Sequence, residues 1–128
     1  MWPDVELVVT RYLRARLGPG VRVVNELPSA LETRLPLVCV ILVDGDDDRI
    51  TDAADVDVES YAATRTAMWE LAERARSAMA AAEGTWVEGM VVDSVETIAR
   101  PHPVTYSNPA VRKAVSTHRL TSRAQAPA

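Results

Sequence analysis

The sequence predicts an α+β fold: a mixed, mostly antiparallel sheet of four to five strands with two helices packed on one face. Three observations predict it. The first is the uncharged run Leu35-Pro36-Leu37-Val38-Cys39-Val40-Ile41-Leu42-Val43, rich in β-branched residues and closed by Asp44-Gly45. A short apolar run bounded in this way reads as a strand buried on both faces. The second is a pair of segments, near the start and the middle of the chain, whose apolar residues recur at helical spacing. The third is the alternation of apolar and polar residues in 55–61 and again in 112–122, the period of a strand with one dry face.

Residues 3–17 form the first predicted helix, with Val5, Val8, Val9, Tyr12, Leu13 and Leu17 on one face. Pro3 suits its first turn, Asp4 and Glu6 its positive end, and Gly18-Pro19-Gly20 stops it. A short strand follows over 21–27, with Val21 and Val23 facing one way and Arg22 and Val24 the other. Residues 28–34 connect it to the central strand with a single helical turn. Along that strand Val38, Val40 and Leu42 face one side, and Leu37, Cys39, Ile41 and Val43 the other. All seven are expected to be mostly buried, with helices covering both faces. Residues 44–53 read as a polar loop that projects from the sheet and orders only against a partner. In the next strand Val56 and Val58 are dry, and Asp55, Asp57 and Glu59 make a row on the wet face. Residues 62–83 form the longest helix, with an apolar stripe of Met68, Leu71, Ala72, Ala75, Met79 and Ala82 and with Gly84 as its cap. Residues 86–99 read as one long strand, irregular near Asp93. Pro101, Pro103 and Pro109 make 100–111 an extended loop, because proline cannot join a sheet interior. A last strand spans 112–122. Residues 1–123 thus form a single domain, and 124–128 a disordered tail.

The 128 residues, 48% hydrophobic and 25% charged, are those of an ordinary globular domain with a modest core. The single cysteine excludes an internal disulfide and any multi-cysteine metal site. Met1-Trp2-Pro3-Asp4 lacks the basic start and apolar stretch of a secretory signal, so cytoplasmic synthesis is expected. No segment is long enough for a membrane span. The net charge is −4, unevenly spread. Residues 44–59 hold eight acids against Arg49 alone, whereas 100–128 hold five bases and no acid. The bland reading is two solvated faces. The sharper one is complementarity between copies.

The residues offer little for catalysis. His102 and His118 have no Ser, Cys or acid at motif spacing. Cys39, inside the apolar strand, is a small hydrophobe rather than a reactive thiolate. The five glycines make no phosphate-binding loop. Asp44, Asp46, Asp48, Asp52 and Asp55 occupy positions 1, 3, 5, 9 and 12 of a calcium-type loop. Arg49 stands where the turn needs glycine, however, and Asp55 where a longer glutamate belongs. The basic C-terminal third has no aromatic interleaving beyond Tyr106, which argues against nucleic-acid readout.

Several features taken in order carry a resemblance. An N-terminal helix precedes Val-Arg-Val-Val at 21–24, and Leu35-Pro36 opens the apolar strand. The acidic stretch with Asp-Val-Asp-Val at 55–58 comes next, then the Ala-rich helix holding Trp69 and Leu71. Val91-Val92-Asp93-Ser94-Val95 follows, and Tyr106-Ser107-Asn108-Pro109-Ala110-Val111-Arg112 introduces the last strand. In this order, over residues 1–123, the chain resembles the tail terminator (tail-completion, gpU-like) proteins of long-tailed phages infecting actinobacteria. The resemblance implies a virion protein without enzyme activity or cofactor. It implies a homo-hexameric ring that caps the tail tube, ends its polymerisation and meets a head-side connector or stopper protein, with DNA passing through the lumen without sequence-specific binding. Ring contacts are head-to-tail, so one patch meets a different patch. The expected subunit or partner interface is therefore Asp46, Asp47, Asp48, Asp55, Asp57, Glu59, Arg112, Lys113, Arg119 and Arg123, with acids and bases meeting between chains. The alternatives are another head–tail adaptor or head-closure protein, and a calcium-binding module using 44–55.

Overall fold

The computed structural model describes residues 4–47, 51–87 and 89–123; the side chains of 44–47, 51, 52 and 123 fall outside that description. The expected disorder of 124–128 and the position of Asp48 lie outside the described residues. Helix α1 spans Val5–Leu17 and helix α2 Arg65–Ala81. The strands are β1 Arg22–Val24, β2 Leu37–Asp47, β3 Thr51–Ala62, β4 Trp86–Val87, β5 Met90–Val104 and β6 Arg112–Arg123. A single 3-10 turn, Leu31–Thr33, lies between β1 and β2, as the sequence leads one to expect.

The strands form one six-stranded sheet in the order β1-β2-β3-β6-β5-β4. Only β1–β2 is parallel. The α+β class and the two helices on one face agree with expectation, but the sheet has six strands rather than four to five. The extra strand arises because 86–99 is not continuous. The chain reverses at Gly89 (φ +85°), and Val87 pairs with Met90. A positive φ of this kind is the conformation a tight hairpin needs, and glycine takes it without strain.

Both helix starts are capped by their own sequence. Asp4 accepts from the Leu7 amide at 3.1 Å, and Thr64 from the Ala67 amide at 3.1 Å. Such caps satisfy amides that have no partner inside the helix. Thr64→Ala is expected to cost about 1 kcal/mol of unfolding free energy. Urea denaturation measures it, and an unchanged midpoint would show that the cap contributes nothing. Gly18 (φ +82°) closes α1 by donating to the Arg14 carbonyl at 3.2 Å. The helices are tied to each other by Tyr12 Oη donating to Ala78 O (2.6 Å) and Arg74 Nη2 donating to Leu17 O (2.8 Å).

The main core lies between the helices and one sheet face: Val8, Val9 and Leu13 of α1 and Leu71, Ala75 and Met79 of α2 pack on Val38, Val40, Val56, Val58 and Leu120. Helices do not cover the opposite face. Its lower half is closed by irregular segments, with Leu31 and Leu35 from the β1–β2 connection and Tyr106 and Val111 from the β5–β6 loop around Leu37, Cys39 and Tyr61. The central strand is therefore only half a core strand. Leu37 to Val40 are fully buried, Ile41 is half-buried, and Leu42 and Val43 are 45% and 56% exposed. The physical reason is register: β1 pairs with β2 only through Cys39, and beyond it β2 runs past its cover.

Over 44–47 and 51–53 the polar stretch is paired strand rather than a projecting loop, and 48–50 lie outside the described residues. β2 continues through Asp47 and β3 begins at Thr51, with Asp44 opposite Asp55 and Asp47 opposite Asp52. β3 pairs along its whole length with β6, and that support carries the weak strand formers into the ladder. The proline segment also pairs, as far as Val104, opposite Lys113. There β4 no longer flanks β5, so prolines 101 and 103 sit at a sheet margin, where a missing amide is tolerated. The irregularity expected near Asp93 is a register shift between Val92 and Ser94.

Each long margin carries a carboxylate on a strand amide. Glu6 Oε2 of α1 accepts from the Leu42 amide at 2.8 Å, and Glu83 Oε1, just past α2, accepts from the Val95 amide at 3.0 Å. No described helix is long and apolar enough to cross a membrane.

Candidate functional site

The half of the sheet that the helices leave uncovered carries the charge row. Alternation along β3 places Ala54, Val56, Val58 and Ser60 against the helices, and Asp55, Asp57 and Glu59 on the opposite face. The same alternation on β6 turns Lys113, Thr117 and Arg119 to that face. Because β3 and β6 are antiparallel neighbours, the two rows meet inside one chain.

Asp55 and Arg119 are directly opposed and make a two-pronged pair, Nε–Oδ1 at 2.8 Å and Nη2–Oδ2 at 3.1 Å. The hydrogen bond from Arg119 holds the Asp55 carboxyl below its ordinary range against a smaller opposing effect of burial, and the Arg119 charge adds to the lowering. Asp57 accepts from the Thr117 hydroxyl at 2.6 Å. Glu59 meets Lys113 at 3.3 Å and accepts from the Tyr61 hydroxyl at 2.9 Å. The Lys113 ammonium also lies 5.6 Å from the Tyr61 ring centroid. Burial first, then the hydrogen bond and charge of Glu59, raise the Tyr61 phenol far above its ordinary value. Tyr106 packs edge-on against Tyr61 at 5.4 Å.

Of the ten residues expected at an interface, the structure thus brings Asp55, Glu59, Lys113 and Arg119 together as cross-strand pairs of the same chain, and Asp57 onto a threonine. Arg112 is exposed and points away from this row. Asp46 and Asp47 belong to β2 and Arg123 ends β6, but their side chains, like Asp48, are outside the described residues.

The calcium-loop reading loses its last ligand, because Asp55 is engaged by Arg119 and the segment is a paired ladder. Among the described residues no group of three or more His, Cys, Asp or Glu is placed to hold a metal ion. Cys39 is buried, and burial, followed by the charges of Glu59 and Glu6, pushes its thiol up to about 12, so it is no nucleophile. His102 is exposed and bonds the Arg100 carbonyl at 2.9 Å. His118 is fully buried beneath α2, with Nε2 2.9 Å from the Ser116 hydroxyl and Nδ1 3.4 Å from the Thr97 hydroxyl.

Two clefts open at the end of the sheet where β2 begins. Arg14, Arg22 and Arg34 line one of about 640 Å³, with Val24, Pro28 and Leu37 in its walls. Arg65, Arg112 and Lys113 line another of about 380 Å³, with Pro103, Tyr106 and Pro109. Sequence reasoning singled out Arg112 and Lys113 but missed the other four. Their only signal is that each stands at or near the end of an element, and topology alone brings those ends together.

The fold is a small α+β domain with cation-lined clefts at one end of its sheet. A family model for phage tail termination proteins matches residues 1–98, and the chain belongs to that family. It is accordingly a structural protein of a phage tail, located in the virion. Among solved structures the chain is similar to one from the "Virion of native gene transfer agent (GTA) particle". The two share 14% identity and a TM-score of 0.64, with 93% of this chain and 94% of the other covered. No curated protein sequence matches the chain.

Proposed function

We propose that this protein caps the tail tube of a long-tailed phage of an actinobacterial host. In this reading six copies form a ring that ends tube polymerisation, presents a joining surface to the head-side connector and lets DNA pass through its lumen. The observation that carries the reading is membership of the tail termination family over residues 1–98. The likeness of fold to a chain of an assembled particle supports it, because nearly the whole of both chains is matched.

The internal pairing of Asp55, Asp57 and Glu59 changes the part these acids take. They tie β3 to β6, Asp55 and Glu59 through ion pairs and Asp57 through the Thr117 hydroxyl, and exposed charges such as Arg112 make the outward contacts. Exposed pairs contribute about 0–1 kcal/mol each, so apolar contacts supply most of the ring's affinity and charges set its register.

The test is to add purified protein to tail tubes growing from tube subunits and to measure tube length and end structure by electron microscopy. Rings of six-fold symmetry at tube ends, with growth arrested, are the expected result. Tubes of unchanged length with bare ends would defeat the reading. Raising ionic strength is expected to weaken end association.

A further inference from the structure

The charges are polarised along the strands. The pairing register runs one row across the lower end of the sheet: Arg22, Leu37, Tyr61, Lys113 and Val104 on β1, β2, β3, β6 and β5. At the other end Asp47 pairs with Asp52, and Asp52 with Ser122. Asp46 and Asp44 stand one and three steps short of Asp47 on the same strand, and Glu6 of α1 reaches this half at Leu42. A twelve-residue strand such as β6 is about 40 Å long. That is several times the screening distance of roughly 8–10 Å in physiological salt. The lower end therefore acts as an electrostatic surface separate from the far ends of the strands.

We infer that the basic end is a docking face for an acidic protein surface that stacks against the ends of the strands. Its six cations come from α1 (Arg14), β1 (Arg22), the β1–β2 connection (Arg34), α2 (Arg65) and β6 (Arg112, Lys113). No acid lines either cleft. Glu59 is already bonded to Lys113, while Glu26 and Glu32 lie in the connection outside both linings. Three of the cations are held in place: Arg14 Nη2 donates to the Val23 carbonyl at 2.7 Å, the Arg65 guanidinium sits 5.8 Å from the Trp69 ring, and Lys113 is fixed between Glu59 and Tyr61. Side chains fixed before binding lose less entropy on contact. Guanidinium forks suit carboxylates, and the Val24, Pro28 and Pro103, Tyr106, Pro109 walls suit the apolar residues that flank carboxylates in a peptide. Two separate pockets with apolar walls, on a domain of net charge −4, favour a protein partner over a nucleic-acid duplex. The inference rests on the function proposed above insofar as the acidic surface belongs to an axial neighbour in the tail.

The test needs no tail. A labelled polyglutamate peptide and a short duplex DNA are titrated separately into the full-length protein at low salt, by fluorescence anisotropy. Polyglutamate is expected to bind. Arg22→Glu with Arg34→Glu, or Arg65→Glu with Arg112→Glu, is expected to weaken binding about tenfold or more, as like charges now face the probe. Gln at the same positions gives an intermediate loss, and Glu96→Lys, away from that end, gives none. All of these side chains are exposed, and circular dichroism verifies that each variant is folded. Three outcomes overturn the inference: no binding of polyglutamate, binding indifferent to the four arginines, or tighter binding of duplex DNA lost with the same substitutions. Failure of wild-type protein to cap tubes bears on the proposed function and leaves the polyglutamate result readable by itself.

Discussion

Truncating Leu37 to Ala lowers the free energy of unfolding by about 2–5 kcal/mol. Leu37 is wholly shielded from solvent, at the point where β1, β2 and β3 meet and the β1–β2 connection closes over the sheet. The cavity left behind is walled by Leu31, Tyr61 and Val111, which belong to three different segments. Collapse onto it requires all three to shift, so the cost falls in the upper part of that range. Ile41→Ala, four residues along the same strand and the same face, is expected to cost distinctly less, because Ile41 is only half-buried. Equilibrium urea denaturation of both variants checks the contrast. Equal losses would mean that the cover described for the lower half of β2 is not what stabilises it.

Acidification from pH 6.5 towards 4 removes about 3 kcal/mol of stability through His118 alone. Burial holds this imidazole down to about 4, the Arg76 charge adds to the lowering, and Asp57 acts the other way. The ordinary value is 6.5, so between those limits the unfolded chain takes up a proton that the folded chain refuses. Stability is therefore whole above pH 6.5 and falls as pH drops through that window. His118→Gln keeps a polar partner for Ser116 and removes the titration. The difference in pH dependence between wild type and variant isolates the histidine from the carboxylates. Superimposable pH profiles for the two proteins would refute the assignment, whatever the variant's absolute stability.

Much of the fold was legible because it depends on periodicity. The helical stripes of Val8, Val9 and Leu13 and of Leu71, Ala75 and Met79 pack where their spacing implies, and the alternation in β3 separates Val56 and Val58 from Asp55 and Asp57 as read. What was not legible depends on distant neighbours. Aspartates and Gly45 read locally as a turn, yet a full-length partner strand draws them into a ladder. The break at Gly89 was hidden in an apolar stretch that strand periodicity alone joins up. The site shows the same division. The acids and bases were found by their clustering. Whether Asp55 meets an arginine of its own chain or of another is set by a pairing across 64 positions, which no local pattern encodes. The basic end is assembled from isolated arginines on five segments, and no window of sequence contains them together.

The two carboxylates that sit on the sheet margins, Glu6 at Leu42 and Glu83 at Val95, bear on how copies of this chain can add to one another. An uncovered margin is a template for another strand, and growth through it has no natural end, since each added copy exposes the same margin again. Here one amide on each side is already bonded, and a negative charge stands where an incoming backbone would have to lie. Association through these margins is thereby disfavoured, which leaves contact to side-chain surfaces. The fold of this tail protein thus carries its own guard against open-ended addition of strands at either margin.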